Sequence, residues 1–278
     1  MKKTFASWTS LVAATMTLAA LPAQAQDAGP PLWEAGVFGG IATTPAYPGS
    51  ADRSSRALVL PLLIYRGEIF RADNSGIGAR LFRTNDVELD VGFSGSLPAS
   101  SDAITARRDM PDLGTLVEFG PRVKWTLSRP TATSRVRLDL PLRAVIEFNA
   151  GVRGQGVAFE PTLTYENRNF TGGWGLSTSA SLIYGDSKLN SYFYGVEPKY
   201  ATVARPAYDA RAGLISTRLA LGTSKKLTPD LMLFGFLRYE SYAGSANQQS
   251  ALFLNNSGAS VGVGLTWTLA RSESRARD

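Results

Sequence analysis

The sequence has no histidine and no cysteine among its 278 residues. Without histidine there is no Ser-His-Asp triad, no imidazole general base and no imidazole metal ligand. Without cysteine there is no thiolate nucleophile, no disulfide and no thiolate-held zinc or iron–sulfur centre. Most hydrolase and metalloenzyme chemistry is thereby excluded. Lysine, Ser–Lys or carboxylate-only chemistry survives, and no cofactor or metal is expected. The net charge of +6 contains no block of five basic residues, so a nucleic-acid-binding arm has no support. The lack of thiols suits a cell envelope, where stray thiols are oxidised.

The first residues read as an export signal. Met1-Lys2-Lys3 is a basic start, Trp8 to Leu21 an apolar core, and Ala23-Gln24-Ala25 a small-x-small cleavage site. Cleavage between Ala25 and Gln26 is expected, leaving 26–269 as the body of the protein and 270–278 as a short polar periplasmic tail. After Ala25 no run of 18 apolar residues occurs, so no transmembrane helix is expected.

The body of the chain alternates with period two. Val87, Leu89, Val91 and Phe93 are interleaved with Glu88, Asp90 and Gly92. Val136, Leu138, Leu140 and Leu142 are interleaved with Arg137, Asp139 and Pro141, and Val261, Val263, Leu265 and Trp267 with Gly262, Gly264 and Thr266. A helix would repeat at 3.6. A soluble sandwich also alternates, but several segments run 11 to 15 residues, longer than soluble strands, and a tilted strand of about 9–11 residues spans a bilayer. Twelve strands are expected near 33–41, 56–65, 67–72, 75–83, 86–96, 115–127, 135–149, 155–168, 171–185, 211–224, 229–241 and 258–269. From a periplasmic start, the long connections 42–55, 97–114, 186–210 and 242–257 all fall on the outer side, as in outer-membrane barrels. The same parity puts Trp33, Tyr65, Trp125, Tyr165, Trp174 and Trp267 near periplasmic strand ends, and Tyr184 and Tyr239 near outer ends, as two interfacial girdles. The fold class is therefore an all-β, antiparallel, up-and-down transmembrane barrel of about twelve strands. Pro61, Pro121, Pro141 and Pro161 lie inside strands. Proline withholds a ladder donor and a closed barrel has no edge to hide it, so bulges or kinks are expected there.

Several short motifs resemble the MltA-interacting protein (MipA)/OmpV family of outer-membrane proteins. They are Pro45 to Ser50 followed by Pro61 and Tyr65; Met110-Pro111-Asp112-Leu113-Gly114 leading to Glu118-Phe119-Gly120-Pro121; and Gly185-Asp186-Ser187 with Asn190 to Val196. The last strand carries Ser260, Gly262, Leu265 and Trp267 in the pattern read by the barrel-assembly machinery. Two departures stand out: Ser250 is followed by Ala251 where the family often has Ser-Pro, and nine residues follow Leu269. The resemblance implies a scaffold linking a lytic transglycosylase to a peptidoglycan synthase, with no catalytic residues; other members are described as porin-like proteins or adhesins.

Three candidate sites remain. The charges on the lumen face are Glu88, Asp90, Arg122, Lys124, Arg137, Asp139, Arg143 and Glu147, with Glu118, Arg135, Glu160 and Glu166. They suit either a selective conduit or a bore closed by ion pairs, and the second is favoured. Loop 97–114 holds Arg107 and Arg108 beside Asp102, Asp109 and Asp112. It is read as a solvated loop in preference to a site for lipopolysaccharide phosphate or calcium. Loop 186–210, with Tyr192, Phe193, Tyr194, Tyr200 and Tyr208, suits either partner binding or folding over the barrel mouth. The acids Asp86, Glu88 and Asp90 are a carboxylate set on paper, but they point into a cation-rich lumen with no groove for a polymer, and enzyme activity is not expected.

Overall fold

The computed structural model describes residues 29–73, 76–149 and 151–276. Its strand segments are β1 (Trp33–Pro45), β2 (Arg53–Arg66), β3 (Phe70–Asp73), β4 (Gly76–Arg83), β5 (Val87–Ser96), β6 (Thr115–Thr131) and β7 (Ser134–Asn149), followed by β8 (Gly151–Phe159), β9 (Thr162–Thr171), β10 (Trp174–Gly185), β11 (Gly213–Lys226), β12 (Leu231–Ser241) and β13 (Ser257–Arg271). Apart from β8 and β9, neighbours in sequence pair antiparallel, and β1 pairs with β13, which closes the ring. β8 and β9 are one crossing interrupted at Glu160-Pro161, since both pair with β7 and both with β10. The result is a closed antiparallel barrel of twelve crossings.

Strand alternation decides what faces where. On β13 the outward set includes Val261, Val263, Leu265 and Trp267, all exposed, whereas Ser260, Gly262 and Gly264 are buried toward the lumen. An apolar outer face with a polar inner one is the barrel solution to a hydrocarbon solvent, because every backbone group is satisfied within the wall. The connections at one rim are long: 46–52, 97–114, 186–212 and 242–256. Those at the other are short: 67–69, 84–86, 132–133, 172–173 and 227–230.

The structure differs from expectation in four places. The connection expected over 150–154 is mostly strand, because β8 begins at Gly151. The segment after Leu269 is not simply a tail: β13 runs through Ala270 to Arg271, and the chain beyond pairs with the first described residues, Leu32 N–H donating to Ser274 O and Ala276 N–H to Pro30 O. The prolines do not sit at bulges, whose register shifts lie elsewhere, for example at Ala35/Gly36, Arg80/Phe82 and Val145/Ile146. Pro121, Pro141 and Pro161 fall where the β6–β7 and β7–β8/β9 ladders each skip residues and then resume in the same register.

Pro61 has another explanation. β2 pairs with β1 along its whole length, but β3 reaches only Tyr65 and Arg66. Among the described residues, Arg53 to Ile64 has no strand partner on its second side. A barrel was expected to have no edge; this one has a local edge, and Pro61 occupies it, as strand prolines do. The candidate cleavage residues Ala23, Ala25 and Gln26 lie outside the described residues.

Val263 lies mid-strand and faces outward. Val263→Arg should lower unfolding stability in lipid by about 2–4 kcal/mol, measured by reversible urea unfolding into vesicles. The folded wild-type barrel should also migrate differently on gels before and after boiling.

Candidate functional site: the barrel lumen

Period-two alternation delivers the expected charges to the lumen, and neighbouring strands pair them. Asp90 on β5 accepts two bonds from Arg122 on β6, from Nε at 2.9 Å and Nη2 at 2.6 Å, and Lys124 Nζ lies 2.9 Å away. Glu88 is bracketed by Lys124 and Arg80, each at 2.8 Å. Arg137 holds Asp139 at 2.8 Å and reaches Glu166 at 3.4 Å. Arg143 bridges Glu118 at 3.3 Å and Glu160 at 3.6 Å. Arg218 continues the arc to Glu160 at 2.5 Å and Glu240 at 2.7 Å. Asp90 is only 3% exposed and Arg122 8%; at that burial a charge is tolerable only because its partner and hydrogen bonds are in place.

Two residues behave differently from the rest. Glu147 accepts from Gly114 N–H at 2.9 Å, Gln155 Nε2 at 2.6 Å and Tyr192 O–H at 3.1 Å, so it fastens an outer loop and the helix there to the wall. Asp86 lies in the turn before β5, exposed and paired with Arg129 at 2.5 Å, at the periplasmic end of the lumen, where it lines the same cavity as Glu88.

Sequence reasoning missed an aromatic waist. Phe38 and Phe234 point inward and stack with ring centroids 5.3 Å apart. Space for them comes from glycine: a Cβ on Gly264 would meet the Phe234 ring at 2.5 Å, and one on Gly262 the Phe236 ring at 2.4 Å. The signal was present in the paired registers Phe234↔Gly264 and Phe236↔Gly262, but it is readable only once the two strands are aligned. Phe38 and Phe234 border both a cavity of about 420 Å³ on the outer side and one of about 760 Å³ on the periplasmic side. The periplasmic cavity is strongly basic, with Arg66, Arg83, Arg135 and Arg168 among its lining.

The outer mouth is covered. Loop 97–114 is not a solvated loop: Ile104, Met110 and Leu113 are buried against Tyr47, Val196 and Leu252. Arg107 is buried too. Its guanidinium donates to the Tyr192, Phe193 and Pro111 carbonyls and lies over the Tyr47 ring, so it is a pin in the lid and not a phosphate site. The 186–212 connection folds over the mouth. Asp186 caps a helix, α1 (Ser187–Tyr194), by accepting from Leu189 N–H at 2.8 Å. Buried Asn190 accepts from buried Asn247 at 2.8 Å, and Ser250 Oγ donates to Tyr194 O at 2.7 Å. Burial pushes the Tyr47 hydroxyl up to about 12, and it donates to Leu252 O at 2.6 Å. The Ser101 backbone N–H and hydroxyl hold the Asp112 carboxyl below the usual carboxylate range. The motif residues Tyr47, Met110, Leu113, Tyr192 and Val196 thus meet in one cluster.

The aromatic residues expected at the interfaces lie along the wall. Trp33 and Tyr65 oppose each other across β1 and β2. Trp174 stacks under Lys225 at 5.3 Å. Trp125 and Trp267 are outward and exposed, as are Tyr184 and Tyr239 near the outer ends, while Tyr165 is partly covered.

Residues 37–269 match the family model of the MltA-interacting protein MipA. The chain belongs to that family. No curated protein matches it. Among solved structures, this family member is similar to the NanC porin, at 10% identity and a TM-score of 0.41 over 84% of this chain and 100% of that one. It is also similar to outer membrane phospholipase A from Escherichia coli, at 11% and 0.34 over 84% and 92%. Outer-membrane expressed OmpT of Vibrio cholerae matches at 9% and 0.37 over 85% and 98%.

Asp90→Ala should cost roughly 3–5 kcal/mol, because it strands two buried cations. Replacing Asp90 and Arg122 together by Leu and Met should recover most of that loss, read by urea unfolding of the refolded barrel. A second expectation concerns pH. The Asp112 carboxyl is held low in the folded state, so its stabilisation of loop 97–114 is present above the ordinary value of 3.8 and fades as pH falls through the depressed value. Limited proteolysis of that loop should therefore speed up on strong acidification, and Asp112→Asn should remove the pH dependence.

Proposed function

We propose that this outer-membrane barrel is a scaffold for peptidoglycan-remodelling enzymes and performs no catalysis itself. Family membership over residues 37–269 carries the reading, since the family is described by its interaction with MltA. The partners in this reading are a lytic transglycosylase and a peptidoglycan synthase, reached from the periplasmic rim. Three features support it. Most of the lumen charges are spent on one another, the outer mouth is roofed by packed loops, and the periplasmic rim carries a long β6–β7 hairpin beside a basic cavity. A surface of that sign suits an acidic face on a partner and makes the association salt-dependent. In this reading the protein is exported by cleavage between Ala25 and Gln26, inserted by the barrel-assembly machinery through its Ser260, Gly262, Leu265 and Trp267 strand, and surrounded by lipid and lipopolysaccharide. A second reading, a small channel for anions, is favoured by one observation: the basic periplasmic cavity is lined by strands from all round the barrel.

Immobilised full-length barrel should retain a murein hydrolase or synthase from envelope extracts at low salt and release it as salt rises. Retention of neither, under conditions that preserve other envelope complexes, overturns the scaffold. Unitary conductance steps in planar bilayers would instead support the channel.

A further inference from the structure

The wall of the barrel has a slot. Among the described residues, Arg53 to Ile64 of β2 has β1 as its one strand partner, and β4 pairs with β5 only up to Phe93. The slot therefore lies between the upper part of β2 and the upper end of β5, above the short β3–β4 hairpin. Its roof is specific: the Arg56 guanidinium donates to the Pro98 carbonyl, and Thr105 N–H donates to Asp52 at 2.8 Å. Both rims line the same outer cavity of about 420 Å³, through Ser54 and Leu58 on one side and Gly95 and Leu97 on the other.

β2 also breaks the alternation that governs the rest of the wall. Residues 57–65 read Ala-Leu-Val-Leu-Pro-Leu-Leu-Ile-Tyr, apolar on both faces. Val59 and Leu63 point out and are 77% and 64% exposed, while Leu60, on the inner face, is still 47% exposed. An unpaired strand edge at membrane depth persists only where it borders a cavity, and apolar residues turned inward give that cavity an oily entrance. Arg238, on β12, lines the same cavity. Among the described residues it lies within ion-pair distance of no carboxylate, although Glu240 shares its cavity, and its buried Nε has no hydrogen-bond partner. Its guanidinium carbon lies 5.9 Å from the Phe236 ring centroid.

We infer that the slot admits single-chain amphipathic anions sideways from the membrane, with the acyl chain along Leu58, Leu97 and the aromatic waist and the carboxylate or phosphate on Arg238. The cavity has the size of a small-molecule site, too small for a whole multi-acylated lipid. The edge is unsuited to adding a protein strand, because Pro61 withholds a donor from it. The inference is independent of the scaffold reading.

The test uses the full barrel in nanodiscs of zwitterionic phospholipid, titrated with dodecanoate labelled with ¹³C at the carboxyl, and with dodecyl phosphate as competitor. A saturable bound carboxylate signal, absent from empty discs, is expected. Arg238→Gln should weaken it by about tenfold or more, the loss expected when a charge-assisted pair is removed; Arg238→Lys should retain most of it. Competition by dodecyl phosphate is expected if any anionic headgroup serves, and failure to compete restricts the site to carboxylates. The chain has no cysteine, so Leu60→Cys gives a single thiol at the slot, and coupling a bulky maleimide there should slow loading without lowering the gel mobility shift of the folded barrel. Three results would overturn the inference. They are a signal no larger than in empty discs, full binding by folded Arg238→Gln, or rapid disulfide-linked pairing of Leu60→Cys barrels, which would make the slot an interface between copies.

Discussion

A backbone amide in hydrocarbon must be paired within the protein, and nearly every feature of this molecule derives from that demand. It forces the strands into a ring, closed where β1 meets β13. It turns alternate side chains inward, where no lipid can solvate their charges, so the charges pair across strands. It also explains where the rule is relaxed. The interrupted ladder at Pro121, Pro141 and Pro161 keeps its register on either side, whereas the unpaired stretch of β2 borders a cavity and carries Pro61 where a donor would otherwise be left over.

The lumen is organised by charge pairing and by size. Asp90 and Arg122 are too buried to be charged alone, and their bidentate contact makes the β5–β6 seam rigid. The waist above it is set by volume: glycines on β13 leave room that Phe234 and Phe236 fill from β12. Between them, ion pairs and rings divide the bore into an outer and a periplasmic cavity, one mostly apolar and roofed, the other basic. The lid is a small core in its own right, in which a buried arginine satisfies a carbonyl of α1 and a buried asparagine pair satisfies the backbone of Arg211 in the loop.

Much of this was legible in the chain. The strand count, the long-loop parity and the inward position of all eight singled-out charges follow from period two, because a strand's side-chain direction is a local property. The lid was only half legible. Aromatics in 186–210 signalled packing or binding without deciding which, and Arg107 looked solvated because burial depends on three loops distant in sequence. Asp86 was expected as the first residue of a strand and lies one residue before it, since strand ends are the least determined feature of an alternating pattern. Pro61 misled because closure was assumed to be complete, and the other three because a ladder can skip a residue and resume in register.

The amino-acid sequence by itself therefore determined the class of object: a membrane barrel without imidazole or thiol chemistry, apolar outside and charged within. It did so because alternation and composition need no knowledge of neighbours. Only the tertiary structure decided which charge meets which, that Phe234 lies over Gly264, that the motif residues converge beneath one lid, and that β2, paired with β1 throughout, has no second strand partner along most of its length among the described residues. Those outcomes depend on register and strand length compared across the sheet, and a single strand, read alone, carries no record of what lies beside it.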